Sequence, residues 1–249
     1  MTRRTLFSPL FSLWLAALLA GGGFVAAPTA GAADVSEAER RVFEDPHLDN
    51  LPATATLRYR YRRSEAGEAA VDDDVVLTAR RDDDRQGRSV QLDYLHGERH
   101  LAMPDVEHAT SNPLILYFLE ADVRDMHRRL GGQENYFRRR IRLALAEAAQ
   151  LSNVAINHDG KVLQATRVEI HPYAGDPLQD RLRGMAGKAY LFTMSPQVPG
   201  GVYELRTRVP GPVAGDPALL EEVLTLRDDA VGGPAAPEPR GPGYITQGN

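Results

Sequence analysis

Arg138, Arg139, Arg140 and Arg142 follow one another in "ENYFRRRIRLAL", beside the apolar residues Phe137 and Ile141. A guanidinium is a planar fork of N–H donors that meets phosphate or carboxylate two bonds at a time. Such a row next to an apolar stripe suits the head of an anionic amphiphile, with Arg138, Arg139 and Arg142 as head contacts. Its plainer role is the wet face of an amphipathic helix, paired with Glu134 and Glu147. Upstream, Glu120, Asp122 and Asp125 are of the right types for acid-base work. However, Arg124 and Arg129 follow Glu120 and Asp125 at the i+4 spacing of exposed ion pairs, worth on the order of a few tenths of a kcal/mol each.

Other chemistry finds less support. His96 and His100 straddle a tight turn, with Glu98 or His108 as a third zinc ligand, but the H-E-x-x-H spacing that helix geometry makes reliable is missing. Asp72-Asp73-Asp74 and Asp82-Asp83-Asp84 flank "VVLTARR" without the alternating acidic order of a calcium loop. Arg80, Arg81 and Arg85 are their expected partners. Ser195 in "FTMSPQVPGG" has no Gly-x-Ser-x-Gly elbow, and "GMAGK" lacks the spacing and hydroxyl residue of a phosphate-cradling loop. No catalytic residue, metal ligand or cofactor is assigned.

The elements around these residues can be read from period and punctuation. "TATLRYRYRR" alternates Leu57, Tyr59 and Tyr61 with Arg58, Arg60 and Arg62, a half-buried strand with one cationic face. "VDDDVVLTARR", "RSVQLDYL" and, after a turn at "HGER", "RHLAMP" continue an antiparallel meander. At 112–150 the period changes. Asn112 is a candidate cap and Pro113 suits a first helical position. Leu116, Leu119, Val123, Met126 and Leu130 form one apolar stripe, and Phe137, Ile141, Ala144, Leu145 and Ala148 a second. Gly131 and Gly132 separate them as a hinge, which predicts a helical hairpin. Beyond it, Asp159-Gly160 is a hairpin turn between two alternating runs. "DPLQDRLRGMAGK" reads as a short helix, "KAYLFTMSPQVPGGVYELRTRVP" as two strands, and "LLEEVLTLRD" as a last one.

The ends carry different information. Arg3-Arg4, an apolar run from Leu10 and small residues up to Ala33 have the layout of a secretory signal over residues 1–33. Paired arginines also touch the twin-arginine export pattern. Residues 230–249 are rich in Pro and Gly and read as a disordered tail. The chain has 29 Lys+Arg against 34 Asp+Glu, and removal of Arg3 and Arg4 makes it more acidic still, which leaves no electrostatic case for nucleic acid. With no cysteine there is no disulfide, thiolate metal site or lipidated cysteine.

Together these readings predict a single α+β domain over 34–229: a curved antiparallel β-sheet, half-barrel-like, with a two-helix hairpin packed on one face. The order of elements resembles that of half-barrel periplasmic carriers of lipoproteins and lipids, in which helices lid a concave sheet. That resemblance covers architecture and no motif. It implies an exported, periplasmic, noncatalytic binding or carrier protein for an apolar or amphiphilic ligand, possessing no membrane anchor once the signal is cleaved. Leu119, Val123, Met126, Phe137 and Ile141 would form the apolar wall and Arg138, Arg139 and Arg142 the head contacts. An enzyme of unrecognised type and a cell-envelope interaction or assembly module are the alternatives.

Overall fold

The structure, a computed structural model, describes residues 35–82 and 87–228. The expected signal at 1–33, the tail at 230–249, and Asp83, Asp84 and Arg85 lie outside the described residues.

Within them the chain is α+β, built on one open nine-stranded antiparallel sheet in the order β4-β3-β2-β1-β9-β8-β7-β6-β5. The strands are β1 (Thr54–Glu65), β2 (Val71–Arg81), β3 (Arg88–Tyr94), β4 (Val106–Ala109), β5 (Gln150–His158), β6 (Lys161–Ile170), β7 (Ala189–Met194), β8 (Val202–Val209) and β9 (Leu220–Leu226). The order describes two meanders, β1 to β4 and β5 to β9, joined where β9 pairs with β1. The connection from β4 to β5 therefore begins at one edge of the sheet and ends at the other. It holds α2 (Leu114–Leu130) and α3 (Glu134–Glu147).

Alternation along the strands produces two different faces, because successive side chains point to opposite sides. Leu57, Tyr59, Leu77, Val90, Phe192, Leu205 and Leu224 are buried on the face that α2 meets, and they share one core with Leu119, Val123, Met126, Phe137 and Ile141. The opposite face carries Arg60 and Arg62 against Asp72, and Arg206 against Glu204 and Glu221.

The start of α2 is held by a compact polar knot. Asn112 accepts a hydrogen bond from the Leu114 N–H at 3.1 Å and donates to the Gly200 carbonyl at 2.9 Å. Its own N–H donates to His47 Nδ1 at 3.3 Å, while His47 Nε2 donates to the Arg41 carbonyl at 2.9 Å. That tautomer requires a neutral ring, and burial lowers the His47 pKa in the same sense. Gly200 has φ +71°, a conformation that favours glycine, and a Cβ there would overlap the Leu57 side chain of β1.

Two local expectations are corrected. "RHLAMP" does not make the fourth strand: Leu101 forms one isolated bridge to Tyr94, and β4 begins at Val106. Leu95 and Gly97 both adopt positive φ, which turns the chain away before a ladder can continue. "DPLQDRLRGMAGK" forms two 3-10 turns, Gln179–Leu182 and Met185–Gly187, interrupted by the left-handed Arg183 and Gly184. Ahead of β1 the chain folds as α1 (Glu37–Glu39) running into a π-helical turn, Arg40–Glu44. Ser36 caps it in a capping box with Glu39, and Ala38 and Val42 are buried.

Candidate functional site

The apolar face of the sheet is interrupted by a row of polar side chains that crosses four strands. Cross-strand register sets Tyr190 (β7) against Thr207 (β8), Thr207 against Glu222 (β9), and Glu222 against Arg63 (β1). The neighbouring row, Phe192, Leu205, Leu224 and Tyr61, is apolar except for the tyrosine hydroxyl. α2 lays two carboxylates on this seam, Asp122 and Asp125, both buried.

Asp122 binds at one end of the seam. The Lys188 ammonium, which directly precedes β7, donates to Asp122 Oδ1, and Tyr190 donates to Oδ2 at 2.6 Å. Lys188 is 0% exposed and Asp122 2%. Tyr173 lies 3.4 Å from Tyr190, oxygen to oxygen, and the Lys188 ammonium is 5.6 Å from the centroid of the Tyr190 ring. Burial, reinforced by the Asp122 charge, pushes Tyr190 and Tyr173 well above the usual phenol range, so both hydroxyls are neutral donors.

Asp125 serves the other end. Arg129 donates to Asp125 at 2.6 Å and bridges to Glu65 with two further bonds of 2.6 and 2.7 Å. Arg63 joins Glu222 at 2.5 Å and Glu65 at 2.6 Å and lies 3.8 Å from Asp125. Tyr61 donates to Glu222 at 2.9 Å. Hydrogen bonds from Arg129 outweigh burial and, with those from Arg63, hold Glu65 at about 2, well below an ordinary glutamate. The expected pairing of Asp125 with Arg129 forms, but the carboxylate is buried rather than exposed, so its partners matter far more than in a surface pair.

Thr207 is the exception within the seam. It is 0% exposed, and its hydroxyl has no hydrogen-bond partner although it stands between Tyr190 and Glu222. A buried hydroxyl without a partner costs roughly 1–3 kcal/mol, so its presence calls for a physical reason.

The residues singled out by the sequence fall into two groups. Leu119, Val123, Met126 and Ile141 are 0% exposed and Phe137 2%, and all lie in the core shared with the sheet. Arg138 is committed to Glu120 at 2.7 Å, which links α3 to α2, and to Glu134 at 2.6 Å. Arg140 holds Asp176 at 2.9 Å. Arg139 is exposed and Arg142 half-buried. Gly131 and Gly132 have φ of +72° and +81°, so both belong to a turn that favours glycine. Lys188, Tyr190, Thr207, Arg63 and Glu222 were not anticipated. A usable signal existed for Lys188: it is one of only two lysines, Lys161 being the other, in a chain of 29 basic residues, and it abuts a strand at the parity of Tyr190.

The remaining charged clusters are paired locally. Asp72 meets Arg60 and Arg62, Asp74 meets Arg227, and Asp73 holds His96 and Arg99, so Arg80 and Arg81 are not their partners. His100 faces Asp93 and His108 faces Asp82. Among the described residues no group of three or more His, Asp and Glu side chains is placed to hold a metal ion, and no helix is long and apolar enough to cross a membrane. A groove of about 840 Å3, lined by Arg60, Asp72, Asp74, Tyr203 and Arg227 among others, and one of about 470 Å3, lined by Arg167, Arg206 and Arg208 among others, involve the charged face of the sheet.

No family model matches the chain, and the curated proteins hold no match to its sequence.

Proposed function

We propose that this is an exported, periplasmic, noncatalytic binding protein for an amphiphilic ligand. In this reading α2 and α3 form a two-helix hairpin that lids the inner face of a half-barrel-like sheet, and the described state is the closed one. The observation that carries the reading is the seam itself. A helix meant only to pack needs no charge beneath it, and replacing a buried ion pair by well-fitted apolar residues is often neutral or stabilising. Here the helix is seated by ion pairs whose members can be rehydrated when it lifts. The opened surface would combine the apolar wall of Leu119, Val123, Met126, Phe137 and Ile141 with a polar floor, the pattern of a site for a molecule with a chain and a head. Gly131 and Gly132 would be the hinge, and Arg139 and Arg142 the first cations met at the rim, with Arg138 joining them if it releases Glu120. Export rests on the basic, apolar and small-residue order of residues 1–33.

The test is a binding panel. The protein lacking residues 1–33 is titrated with palmitate, hexadecanol, and vesicles of anionic and neutral phospholipid, and examined by calorimetry and native mass spectrometry. The expected outcome is a one-to-one complex with at least one single-chain amphiphile at micromolar or tighter affinity. A folded protein that binds none of them would overturn the reading.

A further inference from the structure

We infer that the Lys188 end of the seam is a carboxylate site, which Asp122 fills in the closed protein and which the head of a long-chain monocarboxylic acid takes over when α2 lifts. The inference rests on the binding reading above and names its ligand class.

The donor set is already assembled for a carboxylate. Lys188 reaches one oxygen of Asp122 and Tyr190 the other, an ammonium and a neutral phenol closing on the two lone-pair edges of one carboxyl group. Both donors belong to the sheet side of the interface, whereas the carboxylate comes from the helix. Lifting α2 removes the acceptor and leaves the donors in place. Water can solvate the Lys188 ammonium once α2 is away, but a ligand that covers it again in place of the helix must supply a counter-charge, because a buried unpaired charge is costly.

Thr207 is the second, independent observation. Its hydroxyl, fully buried and lacking a partner, stands next to Tyr190 in the polar row. Asp122 gives one oxygen to Lys188 and the other to Tyr190 and makes no bond to Thr207. A ligand carboxylate that is not tied to a helix backbone is free to settle deeper and accept from Thr207 as well. The chain of such a ligand would occupy the volume that Leu119, Val123 and Met126 fill in the closed state. A phosphate head is a poorer match to this end, since its larger charge would meet one ammonium and two neutral hydroxyls, with Glu222 next in the row.

The experiment compares palmitate with hexadecanol, which share a chain and differ in the head. Asp122→Asn removes the internal competitor and eases opening for both ligands, so the readout is the ratio of their affinities rather than either alone. The expected preference for the acid is tenfold or more in Asp122→Asn, falling to near unity in Asp122→Asn/Lys188→Met. The double variant is used because Lys188→Met alone would strand a buried aspartate. Thr207→Val should raise the urea midpoint of the ligand-free protein, because an unpartnered hydroxyl is lost, and yet weaken palmitate at least threefold. A ratio near unity in Asp122→Asn, or an acid preference that survives the double variant, overturns the carboxylate site while leaving an amphiphile carrier standing. Failure of every variant to bind either ligand removes both.

Discussion

The two faces of the sheet use the same residue types to different ends. On the charged face Arg60 pairs with Asp72 at 2.8 Å, with the side chains 56% and 49% exposed. Under α2, Lys188 pairs with Asp122 with 0% and 1% of the side chains exposed. Water screens the first pair and competes for it, so such contacts add little to stability. The second pair is dry. Its Coulomb attraction is opposed by a large desolvation cost, and its net contribution as a pair is small, but removing either member alone is costly. The charged face is thus tolerant, and the seam is a lock that works only when complete.

The largest effect should come from half of that lock. Asp122→Ala leaves Lys188 buried without a counter-charge and is expected to cost about 3–5 kcal/mol in urea unfolding. The double variant Asp122→Leu/Lys188→Met should recover most of that loss. If the single and double variants were equally unstable, the pair would not be the reason.

Next in size is the apolar contact on either side of the seam. Leu119→Ala should cost about 2–5 kcal/mol, the range for truncating a fully buried leucine. Arg139→Ala, on an exposed position of the neighbouring helix, should cost roughly 0.5 kcal/mol or less. Equal urea midpoints for these two variants would mean that α2 does not pack as described.

A smaller, pH-dependent effect is expected from Glu65. Its folded pKa, about 2, lies below the value of 4.5 for a free glutamate. Its contribution is therefore complete above pH 4.5 and is lost as pH falls towards 2. Urea midpoints measured stepwise across that window should fall, and the fall should be shallower in Glu65→Gln. A wild-type profile flat through the window would show that the Arg129 and Arg63 contacts do not bias this group. The smallest change belongs to the charged face, where Arg60→Ala is expected to leave the urea midpoint almost unchanged and to have no effect in high salt. A loss comparable to that of Asp122→Ala would erase the distinction between the faces.

Much of the fold was legible because period and punctuation are local. The alternation of Leu57, Tyr59 and Tyr61 with arginines marked β1, and Asp159-Gly160 marked the turn of β5 and β6, where both residues have positive φ. The stripes of α2 and α3 marked most of their buried sides, although Leu116 and Leu130 are only half-buried and Ala148 is exposed just past the end of α3. The seam was less legible because it is assembled by register between strands far apart in sequence. Arg63 and Glu222 meet only because β9 pairs with β1, which no short pattern encodes. Asp122 and Asp125 were visible as acids on a helix, but their burial depends on the sheet beneath them. The π-helical turn at Arg40–Glu44 was illegible for a similar reason: the short apolar side formed by its Val42 and by Ala38 of α1 has meaning only against the rest of the core.

The central claim is that α2 can leave the seam to admit a ligand, and a distance measurement tests it directly. The chain has no cysteine, so spin labels can be placed at Arg124→Cys on α2 and Arg62→Cys on β1, two partly exposed positions outside the buried seam. Without ligand, pulsed dipolar spectroscopy should give one distance distribution. Saturating palmitate is predicted to add a population at longer distance, and Asp122→Asn should enlarge it. A distribution unchanged by bound palmitate would contradict the account and leave α2 as a fixed part of the core.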